Sequence, residues 1–135
     1  MSITDIALEI KTNLSYDEAI QRCRDALAAE GFGVLSEIDI QATLKKKLDV
    51  DHEPYMILGA CHPPSAHRAI TAVPAIGVLL PCNVTVSVEQ GQTVVRAMNP
   101  ETSMGILAEP SINEVATEVG QALRRVLAAV GETTQ

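Results

Sequence analysis

Residues 6 to 29 pair an alternating apolar segment with a helical pattern. Ile6, Leu8 and Ile10 alternate with small or charged residues, which predicts a half-buried strand. Ser15 is followed three residues later by Glu18, and this capping-box spacing predicts the start of a helix. One face of that helix is apolar, with Tyr16, Ala19, Ile20, Cys23 and Leu27.

A second strand and a second helix follow Gly31, which is the residue expected to end the first helix. Val34, Leu35 and Ile38 indicate the strand. Asp39 is placed to cap the next helix. The apolar positions of this helix are spaced by four residues, at Ile40, Leu44 and Leu48.

The middle of the chain predicts a third strand, a short helix and a fourth strand. Tyr55 through Cys61 form the third strand, and Pro63 and Pro64 follow directly, as the first turn of a helix allows. We expect this helix to end near Pro74. From Asn83 onward the next strand has two distinct faces, one with Val84, Val86 and Val88 and the other, open to water or a partner, with Thr85, Ser87 and Glu89.

The last third of the chain predicts a hairpin and a long helix. Gln90 and Gly91 join the fourth strand to an antiparallel fifth strand ending at Met98. Ser111 and Glu114 have capping-box spacing. Apolar residues then follow at helical intervals, at Val115, Val119, Ala122, Leu123, Val126 and Val130. The pattern predicts one α+β domain over residues 1–135, with a long C-terminal helix and a disordered tail from about residue 131.

Composition narrows the classes of function. Hydrophobic residues make up 47% and charged residues 20% of the 135 residues, as in a globular domain. The net charge of −7 disfavours nucleic acid as a partner, because polyanion binding depends on basic patches. Aromatic residues make up 2% and give nucleobases almost nothing to stack on. Lys45, Lys46 and Lys47 lie at a predicted helix end, where cations complement the dipole.

The N-terminal segment and the cysteines favour the cytoplasm. Asp5 and Glu9 interrupt the apolar residues of the N-terminal segment, which does not resemble a signal peptide. The most apolar window, residues 70–88, is broken by prolines and is too short for a membrane helix of about 20 residues. Three cysteines without a secretory signal indicate reduced thiols.

Cys61 and Cys82 are the principal candidates for chemistry, because both lie at predicted strand ends. Cys61 precedes a Pro-led helix, whose N-terminal dipole stabilises a thiolate. His62 is a candidate base or ligand. Cys82 is in phase with buried valines, so it is either a core thiol or one re-aimed by Pro81. If their strands are neighbours, both thiols lie at one edge, with Glu37 and Asp39 brought near.

The remaining candidates have simpler interpretations. Cys23 lies on the apolar face of the first helix and is expected to be a core residue. His52 and His67 are expected at the surface, since nothing pairs them at ligand spacing. The 20 residues between Cys61 and Cys82 match neither a C-x-x-C pair nor a zinc ribbon. Hydrolase, P-loop, Rossmann and zinc-protease motifs are all missing from the sequence.

The order of short motifs is similar to one known family. The motifs are Glu18-Ala19, the run from Gly31 to Ile40, Leu58-Gly59-Ala60-Cys61, and the run from Ile76 to Val84. With these motifs in this order along nearly its whole length, the chain resembles the family called domain of unknown function 302. The resemblance implies a β-α-β core with further antiparallel strands in one sheet, helices packed on it, and commonly a homodimer.

The resemblance implies no activity, but it identifies residues that this chain shares with the family. Glu37, Cys61, Cys82 and Asn83 match the family pattern. His62 stands where relatives typically carry asparagine, so it adds a ligand candidate that the family does not share.

Three hypotheses remain open from the sequence. The first is a binding domain in which Glu37, Cys61 and Cys82, with His62 and Asn83 nearby, line a pocket for a small ligand or a metal of unknown identity. The second is a thiol-based redox or transfer enzyme with Cys61 as nucleophile and Glu37 or His62 as proton acceptor. The third is a non-catalytic scaffold whose polar sheet face packs on a second copy. We favour the binding domain, because sequence alone locates no partner for a nucleophile.

Overall fold

Six strands and five α-helices form the computed structural model, which describes residues 1–3 and 5–132. The strands are β1 (Ser2–Ile3), β2 (Ala7–Thr12), β3 (Gly33–Asp39), β4 (Tyr55–Cys61), β5 (Cys82–Glu89) and β6 (Gln92–Met98). The helices are α1 (Tyr16–Ala29), α2 (Ile40–Leu48), α3 (Pro63–Ala72), α4 (Pro100–Gly105) and α5 (Pro110–Glu132). A 3₁₀ turn, Pro74–Leu79, joins α3 to β5. The predicted α+β class and the long C-terminal helix are confirmed.

All strands belong to one antiparallel sheet in the order β1-β2-β6-β5-β4-β3. β2 lies inside the sheet and pairs with β6, with Leu8 opposite Ala97. β3 is an edge strand that runs in the same direction as β2, with three strands between them. Because α1 crosses from β2 to β3, the sheet has the expected β-α-β core with antiparallel strands inserted.

Local signals in the sequence account for several boundaries. Ser15 Oγ accepts from the Glu18 amide at 3.2 Å, and Glu18 Oε1 accepts from the Ser15 amide at 3.2 Å. Asp39 Oδ1 accepts from the Ala42 amide at 2.9 Å and caps α2. The hairpin turn between β5 and β6 has positive φ at both Gln90 and Gly91, the pattern of a two-residue hairpin loop. These three predictions are confirmed.

The hydrophobic core lies on one face of the sheet. Leu8, Ala97, Val84 and Leu58 follow one another across four strands, and each is 0–1% exposed. They form one cluster with buried side chains of the helices, among them Cys23, Leu27, Ile112, Leu123, Val126 and Leu127. The helices therefore cover this face, and α5 supplies the largest share of the helical side.

Several details differ from the sequence predictions. Ile6 is 77% exposed because β2 begins one residue later, at Ala7. Ser111 does not cap α5, since the helix already begins at Pro110 and the Ser111 hydroxyl donates to Glu109. The segment between β6 and α5 contains α4, a short helix that the sequence pattern did not predict. Helix α5 continues through Glu132, and residues 133–135 of the predicted tail lie outside the described residues.

The opposite face of the sheet carries an ion network. Arg96 Nε donates to Glu9 Oε1 at 2.6 Å, and Arg96 Nη2 donates to Glu89 Oε1 at 3.0 Å. The Ser87 hydroxyl donates to Glu89 at 2.8 Å. The hydrogen bond from Arg96 to Glu89, the largest cause, and the hydrogen bond from Ser87 lower the pKa of Glu89 to about 2. Ser87 is only 1% exposed, so the polar face predicted to be open is partly closed by side chains of the chain itself.

Candidate functional site

Two thiols meet at one end of the β4 and β5 pair. Cys61 is the last residue of β4 and Cys82 is the first residue of β5. Ala60 lies directly opposite Cys82 in the antiparallel register, so Cys61 is adjacent to the cross-strand partner of Cys82. The expectation that the two strands are neighbours and bring the thiols to one edge is confirmed.

Both thiols line a cavity of about 300 Å³ between the sheet and the helices. Its polar groups come from Cys61, His62, Ser65 and Cys82. Among the described residues that line it, none is Asp, Glu, Lys or Arg. The apolar wall is formed by Leu35, Ala60, Ala66, Ala69, Ile70, Leu80, Pro81, Met104, Val115 and Val119. The cavity is therefore suited to an uncharged and mostly apolar molecule.

A β-bulge shapes the mouth of this cavity. Val34 pairs with Ala60 and Ser36 pairs with Gly59, which leaves Leu35 as the extra residue of β3. Bulges re-aim side chains, and Leu35 contributes to the cavity lining while being 70% exposed. Ile70 on α3 also lines the cavity and is 43% exposed. The cavity thus opens to solvent between the sheet edge and α3.

His62 is fixed at the start of α3, where it occupies the N-cap position. Its Nδ1 lies 2.7 Å from the hydroxyl oxygen of Ser65, which is 4% exposed. The imidazole also packs on Phe32, with 5.2 Å between ring centroids. Gly31 allows this approach, since a Cβ there would lie 3.3 Å from His62 Nε2 and the residue has a φ of +84°. His62 is thus a positioned group in the cavity wall.

The other side of this wall is polar. His62 and Ser65 also line a smaller depression of about 170 Å³, together with Glu30, Glu118 and Arg125. The hydrogen bond from Arg68, the largest cause, together with the charges of Arg68 and His62, lowers the pKa of Glu118. The imidazole therefore lies between an apolar cavity and a charged surface depression.

The three cysteines have different environments. Cys23 is fully buried in the core, and burial raises the pKa of its thiol to about 12, which agrees with the predicted core role. Burial, and next the charge of Cys61, raise the pKa of the Cys82 thiol to about 11. Cys61 is half-buried, so it is the most accessible thiol of the three.

Glu37, Asp39 and Asn83 lie outside the cavity. β3 runs antiparallel to β4, so Glu37 pairs with Leu58 and Asp39 with Met56, away from the end that holds Cys61. The expectation that Glu37 and Asp39 lie beside the thiols is therefore wrong. Glu37 forms an ion pair with Arg24 of α1. Asn83 is exposed and lies opposite Gly59, because it alternates with the buried residues of β5.

The other sequence candidates lie at the surface. Lys45 at the end of α2 pairs with Asp49 at 2.9 Å and Asp51 at 3.2 Å, which supports the interpretation as a solvated helix end. His52 and His67 are exposed, as predicted. Within residues 1–3 and 5–132, no group of three or more His, Cys, Asp or Glu side chains is placed to hold a metal ion.

Sequence reasoning missed most of the cavity lining. Ser65 and Ala69 are separated by one helical turn on α3, and Val115 and Val119 by one turn on α5. The periodicity marks these residues as facing the protein interior, but only the packing of α3 against α5 shows that a space remains between them. The small side chains of α3 were the one local signal for that space.

The fold and site define a class: an α+β domain with one antiparallel sheet and an apolar cavity where two thiols meet at a strand end. A solved structure described as an uncharacterized conserved protein DUF302 from Bacillus stearothermophilus has a TM-score of 0.83 and 28% identity to the chain. The match covers 96% of this chain and 98% of that chain. The family model described as domain of unknown function DUF302 matches residues 8–130. The chain belongs to this family.

No curated protein matches the chain. None of the helices in the described part of the chain is long and apolar enough to cross a membrane.

Proposed function

We propose that this domain binds a small, uncharged and mostly apolar molecule in the cavity beside Cys61, His62 and Cys82. The observation that supports this most is the cavity itself, with about 300 Å³ of space and no Asp, Glu, Lys or Arg among the described residues that line it. An apolar cavity of about 150 Å³ holds benzene, so about twice that volume suits a ligand of roughly 10 non-hydrogen atoms. The thiol, imidazole and hydroxyl groups would face its polar end.

We propose an organic molecule rather than a metal ion as the ligand. The described residues offer no group of three donors for a metal ion. Glu37, the carboxylate expected to complete a donor set, is occupied by Arg24. We also propose a cytoplasmic setting, which is supported by three free cysteines, two of them in one cavity.

Binding is tested with 1-octanol, observed through the methyl group of Met104. Met104 lines the cavity and is 1% exposed, so its NMR signal should shift saturably as the alcohol enters. Ala66→Leu adds three carbon atoms to the cavity wall. These carbons take the space of about three methylene groups of the alcohol. Since each buried methylene contributes about 0.8 kcal/mol, we expect the affinity for 1-octanol to fall about 50-fold. Octanoate should bind at least about tenfold more weakly than the alcohol, because no Lys or Arg among the described residues lines the cavity to balance its charge.

Ala72→Leu is the matched control. Ala72 lies on the same helix but is exposed and does not line the cavity, so this variant should bind 1-octanol as the unchanged chain does. Equal losses in both variants would mean that the alcohol does not occupy the cavity, and the proposal would fail.

We propose in addition that the domain forms a homodimer through residues 33–50, which comprise β3 and α2. No residue between 33 and 57 is buried, although the segment includes a sheet edge and a helix. It exposes Leu35, Ile38, Leu48 and Val50. The same surface carries both acidic residues and the lysines at positions 45–47, and this mixture suits a two-fold interface in which each copy meets the opposite charges of the other.

Analytical ultracentrifugation of Ile38→Asp tests this interface. Ile38 is 46% exposed on the edge strand, and a buried carboxylate without a partner is costly. We expect the dimer dissociation constant to rise at least about 100-fold, equivalent to about 2.7 kcal/mol. Ile106→Asp, at a position that is 80% exposed and outside the segment, should leave the constant unchanged. A monomer at all concentrations in the unchanged chain would contradict the proposal.

A further inference from the structure

Two thiols in one apolar cavity are more than a binding site for an inert molecule requires. Ala60 lies opposite Cys82, so Cys61 is one residue from the point directly across the strand. With strands about 4.8 Å apart and a rise of about 3.4 Å per residue, the two Cα atoms lie about 6 Å apart. Disulfides span about 4.4 to 6.8 Å between Cα atoms. Strand alternation alone would aim Cys61 away, but β4 ends at this residue and both cysteines line the cavity.

We propose that the cavity takes an organic hydroperoxide with a small apolar body and that Cys61 and Cys82 reduce it to the alcohol. This inference rests on the proposed function, because it gives the apolar ligand of the cavity a chemical class. A hydroperoxide is uncharged, which suits a cavity whose described lining holds no Asp, Glu, Lys or Arg, and it has one polar end for the groups at Cys61 and His62. It is also a two-electron oxidant, which matches a pair of thiols.

The reaction has two steps. The sulfur of Cys61 attacks the terminal oxygen of the hydroperoxide, the O–O bond breaks, and both of its electrons leave with the alkoxide. The proton given up by the Cys61 thiol passes through the His62 imidazole to the alkoxide, which leaves as the alcohol, and Cys61 becomes a sulfenic acid. Cys82 sulfur then attacks Cys61 sulfur, the S–O bond breaks, and the hydroxide leaves as water with the proton of Cys82. The hydroperoxide is reduced by two electrons, the thiols form a disulfide, and an external dithiol restores them.

The surroundings of the two thiols determine which of them reacts first. Cys61 is half-buried and precedes α3, whose N-terminal end carries a partial positive charge. Cys82 is 5% exposed, and burial followed by the charge of Cys61 raises the pKa of its thiol. Conversion of Cys61 to an uncharged sulfenic acid removes the second of these causes. Cys82 thus loses its proton more readily once Cys61 has reacted, which is the order that the two steps need.

The test uses the full, reduced chain with cumene hydroperoxide, tert-butyl hydroperoxide and hydrogen peroxide, followed by disulfide mapping with mass spectrometry. We expect a Cys61–Cys82 disulfide, one alcohol released per chain, and thiol loss at least about tenfold faster with the organic hydroperoxides, since burial of apolar groups favours them. Cys61→Ser should slow the reaction at least 100-fold. Cys82→Ala should stop at a Cys61 sulfenic acid, which dimedone traps. Cys23→Ala, a buried thiol outside the cavity, should react like the unchanged chain.

Several results would overturn the inference: a disulfide that excludes Cys61 or Cys82, equal rates with hydrogen peroxide, or thiols that remain reduced. If Cys82→Ala does not fold, disulfide mapping of the unchanged chain still decides the question. The 1-octanol titration separates this inference from the proposed function. Saturable shifts of Met104 together with unreactive thiols would overturn the hydroperoxide chemistry alone, whereas no shift and no reaction would overturn both.

Discussion

Leu123→Ala is expected to lower the free energy of unfolding by about 3 kcal/mol, which is typical of a leucine truncated in a closed core. Leu123 lies in the middle of α5 and is 0% exposed. It belongs to the hydrophobic core cluster that joins the helices to the sheet, so its loss leaves a void that the surrounding side chains fill only in part. Urea unfolding followed by circular dichroism measures the effect, since the chain contains no Trp and only two Tyr.

Leu107→Ala is the matched control for this prediction. Leu107 is 39% exposed in the connection between α4 and α5, so truncation should cost less than about 1 kcal/mol. The urea midpoint of Leu123→Ala should fall without a change in the slope of the transition. Equal costs at the two positions would mean that α5 does not close the core as described.

Gly59→Val is expected to cost about 3 kcal/mol, because it overpacks the junction of three strands. Gly59 in β4 lies between Ser36 of β3 and Asn83 of β5. A Cβ at this position would lie against Ser36 Oγ, closer than real Cβ atoms approach, and 3.1 Å from Pro81 Cγ. Rotation of Ser36 relieves only the first contact. Pro81 lines the cavity beside Cys82, so 1-octanol binding should weaken in this variant as well.

A double-mutant cycle with Ser36→Ala separates the two contacts. Removal of the Ser36 hydroxyl should recover about 1 kcal/mol of the loss, and the remainder reports the contact with Pro81. Gly33→Val is the control, because a Cβ at Gly33 has nothing within 4 Å and valine suits a strand. If Gly59→Val were as stable as the unchanged chain, the close packing of β3, β4 and β5 would be incorrect.

Features determined by neighbouring residues were predictable from the sequence. The capping box at Ser15, the cap at Asp39 and the turn at Gly91 each depend on contacts within a few residues. Ser111 was predicted wrongly for the same kind of reason, because its spacing to Glu114 fits a cap while Pro110 already begins the helix. Proline favours the first helical position, and this preference prevailed over the capping pattern.

Features determined by strand register were harder to predict from the sequence. The meeting of Cys61 and Cys82 followed from two neighbouring strands that each place a thiol at the same end. The position of Glu37 depends instead on the direction of β3. Because β3 is antiparallel to β4, the C-terminal half of β3, which holds Glu37, lies away from the thiols. The cavity was harder still to predict from the sequence, since Leu35 reaches its mouth only through a bulge in β3. A bulge leaves no clear mark in the alternation of apolar residues.

The position of β2 inside the sheet has a consequence for synthesis on the ribosome. Leu8 pairs with Ala97, about 90 residues later, and at about 5–20 residues per second this strand waits about 5–18 s for its partner. Until β6 emerges, β2 can pair only with the two-residue strand β1, through Ser2 and Ile3, and α1 is the helix nearest in sequence that can cover Leu8 and Ile10. The nascent chain therefore exposes an apolar strand that is unpaired along its β6 side for most of its translation, and chaperones that bind such segments would engage it before the sheet can close.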